Sequence, residues 1–366
     1  MASSFFAEIL NPRFDSPVNI DISKGGKILI ISDFHMGVGR RDDLAYNGNM
    51  LIEILGDYYF KNDWILILNG DIEELQRFHI DNIREQWAGL YRIFDCFNAT
   101  NRLYKTLGNH DETLVFEGSY PYPLYNAVRI NTGVIPVYIF HGHQSSKVYS
   151  RFNRLLSLSV RYLLKPLGIR NISSGRSPYR RFYVEKQAYG FSLENNCISI
   201  IGHTHRTLFE SLGRFDYIKF EIERLCHDYT TASESERGRI AGEVSNLRVE
   251  LGKLKRSERR GALRQSLYGD DLPVPCLFNA GCAIGRHGVN AIELDNTDPN
   301  HGIELVYWFA EGRQMKFINR GWYKVEPLGD TPYRRVVLNS DTLDHIKAKV
   351  ELLGGKSEEA LRSGGK

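Results

Sequence analysis

Hydrophobic positions along this chain fall into two rhythms. Residues 27–32, 64–69 and 135–140 are short, nearly uninterrupted apolar runs rich in branched and aromatic side chains, which predicts strands buried on both faces. Weaker runs at 102–107, 197–201 and 275–279 predict three more. Residues 43–60 instead place Leu44, Leu51, Ile52, Leu55 and Tyr59 at helical spacing, and 83–97 repeat that spacing before the run at 102. Strand and helix therefore alternate. That order predicts an α/β sheet covered by helices, with ligands gathered beyond the carboxyl ends of its strands.

Polar residues at those strand ends change the picture from fold to chemistry. Five runs stop at Asp33-Phe34-His35, Gly70-Asp71, Gly108-Asn109-His110-Asp111, His141-Gly142-His143 and Gly202-His203-Thr204-His205. Carboxylate, imidazole and amide oxygens are ordinary one at a time, but a series placed at successive strand ends is a metal-ligand pattern. A phosphate ester repels nucleophiles with its own charge, and paired divalent ions about 3.5–4 Å apart offset that charge and acidify a water. Asp71, with two oxygens and a charge, is the candidate bridge. Asp33 and His35 project toward one metal with His205 returning to it, while Asn109, His141 and His203 complete the second site. His143, two residues past the strand end, is the alternative to His141. Such a donor mixture suits Mn²⁺, Fe or Zn²⁺ in preference to Ca²⁺ or a structural zinc, and ligand type does not choose among the three; Mn²⁺ is the expected ion. His110 is a candidate to protonate the leaving oxygen or stabilise phosphoryl charge, with Asp111 fixing its ring. His79, His227, His301 and His345 lack such company.

Composition bounds the rest. A length of 366 residues at 42% hydrophobic content is ample for one large core with appendages, or for two domains. Five cysteines form no CxxC pair, and the odd count argues against a disulfide framework, so a reducing, cytoplasmic setting is expected. No signal segment or membrane-spanning run is evident. The net charge of +3 is too small to identify a partner, but its distribution is uneven. Residues 147–186 carry ten basic side chains against the single acid Glu185, and Lys147, Arg151, Arg154, Arg161 and Lys165 fall on one helical stripe opposite Val148, Phe152, Leu155, Leu156 and Leu163. This basic helical cap suits a phosphorylated or diphosphate-containing substrate, a nucleic-acid backbone or a membrane surface; a solvated surface helix is the plainer reading. Arg40, Arg41 and Arg206 are further candidates to grip phosphate.

A second insertion, 206–272, contains Ser233 and Glu236 in capping-box spacing. Ile240, Val244, Leu247, Leu251 and Leu254 then form a seam that predicts a helical hairpin, packed on residues 220–229 or on a second copy in a homodimer. Both insertions lie within a catalytic domain at 25–325, flanked by an N-terminal extension at 1–24 and a C-terminal extension at 326–366. In the latter, Ser340 is expected to cap a helix with Leu343, Ile346, Val350 and Leu353 inward.

The blocks DFH, GD, GNHD, HGH and GHTH, in this order between strands, resemble the signature of the calcineurin-like metallophosphoesterase superfamily over residues 27–306. The resemblance implies two mixed sheets packed face to face with helices outside. It also implies Asp33, His35, Asp71 and His205 around one metal, Asp71, Asn109, His141 and His203 around the other, and His110 as the catalytic histidine. The implied reaction is hydrolysis of a phosphodiester, pyrophosphate or phosphomonoester by a metal-bridging hydroxide. The basic insertion after HGH, Arg206 after GHTH and the Asn279-Ala280-Gly281 turn also resemble the UDP-2,3-diacylglucosamine pyrophosphohydrolase branch. The chain departs from that branch at two points: His110 stands where the branch carries arginine, and the branch lacks an insertion like 206–272. A nuclease of the same superfamily, or a non-catalytic interaction scaffold, are the competing readings. A protein phosphatase fits less well, because Gly70-Asp71 continues as Ile72-Glu73-Glu74 without the expected arginine.

Overall fold

The structure is a computed structural model that describes residues 6, 17–39, 44–145, 178–253, 274–298, 302–313 and 323–354. The described strands run in chain order as β1 (Val18–Asp21), β2 (Lys27–Ile31), β3 (Ile65–Asn69), β4 (Leu103–Thr106), β5 (Leu124–Tyr125), β6 (Val128–Asn131), β7 (Val137–Ile139), β8 (Ile198–Ile201), β9 (Leu208–Phe209), β10 (Leu212–Gly213), β11 (Leu277–Asn279), β12 (Val289–Asp295), β13 (Gly302–Ala310), β14 (Val325–Pro327) and β15 (Tyr333–Thr342). They form two mixed sheets. One has the order β1-β6-β7-β8-β11-β9-β10 and the other β14-β15-β13-β12-β2-β3-β4-β5.

Strand period explains how the layers stack. On β2, Ile28 and Ile30 face the other sheet and share a core with Val137, Ile139, Ile198 and Ile200. The alternating Leu29 and Ile31 face outward and pack with Leu51, Leu55, Leu90 and Phe94. Both faces are thus buried, which is why β2 and β3 read as continuous apolar runs. The helices of the outer layer are α1 (Gly48–Glu53), continued by a π-helical stretch over Ile54–Phe60, α2 (Ile80–Gln86) and α3 (Ala88–Ala99). The single helix expected over 83–97 is broken at Trp87, whose ring fills the space beside Gly48 and whose Nε1 donates to Gly37 O at 3.0 Å.

Insertions and termini differ in part from expectation. Residues 146–177 lie outside the described ones, so most of the basic cap, including Arg151 and Arg154, does too. Its expected end at Lys186 falls inside α4 (Pro178–Asn195), whose Val184, Ala188 and Phe191 join the core between the sheets. The segment after residue 206 first adds β9 and β10 to a sheet and only then becomes helical, as α5 (Arg214–Thr231) and α6 (Glu234–Lys253). These two helices form a hairpin in which Ile240, Val244, Leu247 and Leu251 pack on Ile218, Ile222 and Leu225, with Glu236 reaching back to Ser233 N at 3.0 Å.

The C-terminal segment is not peripheral: β15 pairs along the whole of β13, from Gly302↔Thr342 to Ala310↔Tyr333. Ser340 consequently lies in this strand, and the cap of α7 (Leu343–Leu353) is Thr342, which accepts from His345 N. Leu343, Ile346 and Val350 are buried as expected, whereas Leu353 is exposed. β1 likewise draws residues 18–21 of the N-terminal extension into a sheet, parallel to β6. Among the described residues, no helix is long and apolar enough to cross a membrane.

Candidate metal centre

Each polar cluster follows a strand and turns sharply at once. Asp33, His35, Asp71, His203 and His205 all have positive φ, between 45° and 62°, a backbone region that side chains with a Cβ seldom occupy. Such conformations persist only when their surroundings hold them, and they gather at functional sites. Here the turns after β2 and β3 bind each other: Asp33 N donates to Gly70 O, His35 N to Asp71 O and Met36 N to Ile72 O, at 2.8–3.1 Å. Close approach accounts for the glycines. A Cβ on Gly108 would lie 2.2 Å from both the backbone nitrogen and Oδ1 of Asp71, and one on Gly202 would lie 2.7 Å from Asp33 Oδ2.

These turns bring the expected donors together. Asp33, His35 and His205 form one group with ligand atoms within 4.8 Å of one another, and Asp71, His141 and His203 form another. His35 joins Asp71 and His110 in a third group, so the two sets share a boundary at Asp71. Asp71 Oδ2 lies 3.1 Å from His141 Nε2 and 3.9 Å from His35 Nε2, while its Oδ1 accepts the His110 amide at 2.7 Å. Asp33 Oδ1 is 3.0 Å from His205 Nε2, which in turn is 3.1 Å from His35 Nε2.

Divalent ions fit this arrangement. Two imidazole nitrogens each about 2.1 Å from one ion stand roughly 3 Å apart when they are neighbouring ligands, which matches His35 and His205. His141 gives its Nδ1–H to Asn69 O at 2.8 Å and so turns its buried Nε2 toward Asp71; that Nε2, Asn109 Oδ1 and Asp33 Oδ1 are buried and make no hydrogen bond of ordinary geometry. Three buried polar atoms left without a well-formed hydrogen bond are costly unless a cation completes them. The electrostatics agree. Burial alone would raise the Asp71 carboxyl, but the facing imidazoles of His141 and His110 hold it well below its usual range. Burial would lower His141, yet Asp71 and Asp33 push it up to about 9. His203, buried and next to His141, is lowered to about 3 and so is a neutral donor.

The surroundings of His110 depart from expectation. Asp111 does not orient the His110 ring; Glu74 does, with both carboxylate oxygens 2.9 Å from His110 Nδ1, and the same Glu74 lies 3.2 Å from His35 Nδ1. Asp111 points the other way, into the protein. It accepts from Gly108 N at 2.7 Å, Ile72 N at 2.8 Å and the fully buried Lys105 at 2.8 Å. Adjacent residues in a turn project apart, so neighbourhood in the chain misassigned the partner. Sequence reasoning does not single out Glu74, although two successive acids, Glu73 and Glu74, just beyond Asp71 in a buried stretch are a signal of the right kind. Asn279, read from the sequence as part of a turn, donates from Nδ2 to Gly202 O and Thr204 Oγ1, both at 3.0 Å, and so shapes the loop of His203 and His205.

The remaining candidates are placed as follows. His143 is buried, its ring 5.5 Å from that of His141 and its Nε2 3.7 Å from Glu112, and it belongs to neither ligand group. Desolvation, with the negative charges of Asp111 and Asp71 nearby, pushes Glu112 up to about 7. Arg206 donates from Nε and Nη2, one edge of its guanidinium, to the two carboxylate oxygens of the buried Glu185 of α4, which anchors it to the scaffold. Arg40 and Arg41 lie outside the described residues.

Residues 26–207 match the calcineurin-like phosphoesterase family. No curated protein matches the chain. Among solved structures, Yfce, a phosphoesterase from E. coli, aligns at 10% identity and a TM-score of 0.33 over 87% of this chain and 99% of its own. Vps29 from Entamoeba histolytica aligns at 12% identity and a TM-score of 0.32 over 86% and 99%, and a conserved uncharacterized protein from Streptococcus pneumoniae at 12% and 0.28 over 77% and 90%.

Proposed function

Since the chain belongs to the calcineurin-like phosphoesterase family through residues 26–207, we propose that it hydrolyses phosphate esters with two divalent ions gathered about one shared carboxylate, Asp71. The observation that carries this reading is the position of Asp71 Oδ2 between two donor groups, 3.1 Å from His141 Nε2 and 3.9 Å from His35 Nε2. Asp33, His35 and His205 would hold one ion, and Asn109, His141 and His203 the other. When bound, such a pair neutralises phosphoryl charge and acidifies a water; the mixed imidazole, carboxylate and amide donors suit Mn²⁺, Fe or Zn²⁺.

His110 supplies the proton. Its Nδ1 is committed to Glu74, so Nε2 faces the donor cluster, 4.0 Å from Asp71 Oδ2. Burial would lower its pKa, but the charge of Asp71 and the bond to Glu74 raise it, which favours the protonated ring needed to serve a departing oxygen. The test is hydrolysis of bis-p-nitrophenyl phosphate by metal-free protein to which Mn²⁺ is restored. Turnover should appear with the metal and vanish in Asp71→Asn and His203→Ala; turnover that ignores both metal and substitutions would end the reading.

The ten basic residues of 147–186 support an anionic substrate larger than a simple ester. Arg151→Glu with Arg154→Glu should then raise KM for such a substrate and spare a small generic ester, whereas equal loss on both would mark a structural defect. A panel of nucleotide-sugar lipids, nucleic acids and phosphomonoesters separates the bond types. All five cysteines are free, which supports a reducing setting such as the cytoplasm.

A further inference from the structure

Behind the metal-binding turns lies a closed ionic cluster. Lys105, Glu73 and Asp111 are all fully buried, and Lys105 Nζ sits 2.7 Å from Glu73 Oε2 and 2.8 Å from Asp111 Oδ2. The two acids reach in different directions. Glu73 Oε1 accepts the hydroxyls of Tyr91 and Tyr120 at 2.9 and 2.8 Å, on the helical side. Asp111 accepts the amides of Ile72 and Gly108 at 2.8 and 2.7 Å, and these adjoin Asp71 and Asn109. Asp71 in turn accepts the amide of His110. The turns after β3 and β4 are therefore laced in both directions, with Asp111 reaching one way and Asp71 the other.

We propose that Lys105 is a positioning residue for the metal centre: by pinning the Asp111 carboxylate against the Ile72 and Gly108 amides, it fixes Asp71 relative to Asn109 and so sets the affinity for the ion they share. This rests on the two-ion reading above. A lysine seen only as a charge predicts the opposite sign. Removing a cation beside a cation site should tighten ion binding, whereas loosening the turns should weaken it, as loss of outer partners of metal ligands does by about 10–100-fold.

The experiment measures Mn²⁺ binding by calorimetry, and bound-ion count by electron paramagnetic resonance, in wild-type protein, Lys105→Met and the pair Lys105→Met with Glu73→Gln. The pair removes one positive and one negative charge, so the local charge stays at its wild-type value and geometry alone is tested. Both variants should bind one ion about 10–100-fold more weakly, with the wild-type circular dichroism spectrum retained. Should Lys105→Met fail to fold, the paired variant and the isosteric Asp111→Asn, which can accept from only one of the two amides, are expected to show the same loss. Tyr91→Phe, on the other limb, should lower the melting temperature and leave ion affinity unchanged. Wild-type affinity in the paired variant, or tighter binding in Lys105→Met, would overturn the proposal while leaving the two-ion reading intact. A wild-type protein that binds no ion would end both.

Discussion

Glu74→Gln separates a carboxylate that organises the centre from one that merely fills space. Glu74 bonds Nδ1 of His110 with both oxygens at 2.9 Å and Nδ1 of His35 with Oε2 at 3.2 Å. Burial would raise its carboxyl, but the hydrogen bonds from His110 and His35 bring it down to about 2, so it is an anion throughout the working range. Glutamine keeps the shape but offers one acceptor oxygen, and its amide nitrogen turns a donor toward a ring N–H. A hydrogen bond to a charged group contributes about 1.5–3 kcal/mol, which is roughly 10–150-fold. The amide oxygen should stay with His110, which the carboxylate grips more closely, so the broken bond falls on the proposed ligand His35 and Mn²⁺ affinity drops about 10–100-fold.

A second effect of the same substitution has a definite sign. Glu74 raises the His110 pKa, so removing its charge lowers it. A proton donor with a lower pKa is lost at a lower pH, and the alkaline limb of the kcat–pH profile, taken on bis-p-nitrophenyl phosphate at saturating Mn²⁺, should shift downward. Mn²⁺ affinity within twofold of wild type together with an unmoved alkaline limb would refute the reasoning.

Three further outcomes follow from the same geometry. Asp71→Ala should lose metal and turnover together, whereas His110→Ala should keep both ions, by elemental analysis, and lose about 10²–10⁴-fold in kcat; unchanged turnover in His110→Ala would remove its role. Mn²⁺ affinity should rise about tenfold per pH unit from pH 6.5 toward 9, because His141, pushed up to about 9, carries a proton that the ion must displace, while His203, at about 3, carries none. A pH-independent affinity across that window would contradict it. Gly108→Ala should abolish metal binding, since its Cβ would stand 2.2 Å from Asp71 N and Oδ1, and Gly118→Ala, where a Cβ meets nothing within 4 Å, should bind as wild type.

What could be read from the chain follows from where burial is two-sided. Ile28, Leu29, Ile30 and Ile31 face apolar layers in alternation and leave an uninterrupted run, so β2 and β3 were legible. β15 was not, because Arg334, Arg335, Asn339 and Ser340 interrupt it, and its one deeply buried cation, Arg335, is compensated by Glu293, Glu304 and Glu326 from three other strands. The donor residues themselves announced their place, each at a strand end and most beside a glycine. Glu74 did not, because its meaning lies in two contacts 39 and 36 residues away along the chain.

Lys105 marks the boundary between these cases. It stands two residues after Leu103 in a short strand, hence on the same face, and that face is buried. A lysine there must meet an anion, since an unpaired buried ammonium is too costly to keep. The need for a buried acid was therefore present in the pattern Leu103-Tyr104-Lys105-Thr106. Which acid was not, because Glu73 and Asp111 reach Lys105 from opposite turns, and only the pairing of β3 with β4 brings those turns side by side. Local chemistry sets the demand for a partner, and sheet register decides which residue meets it.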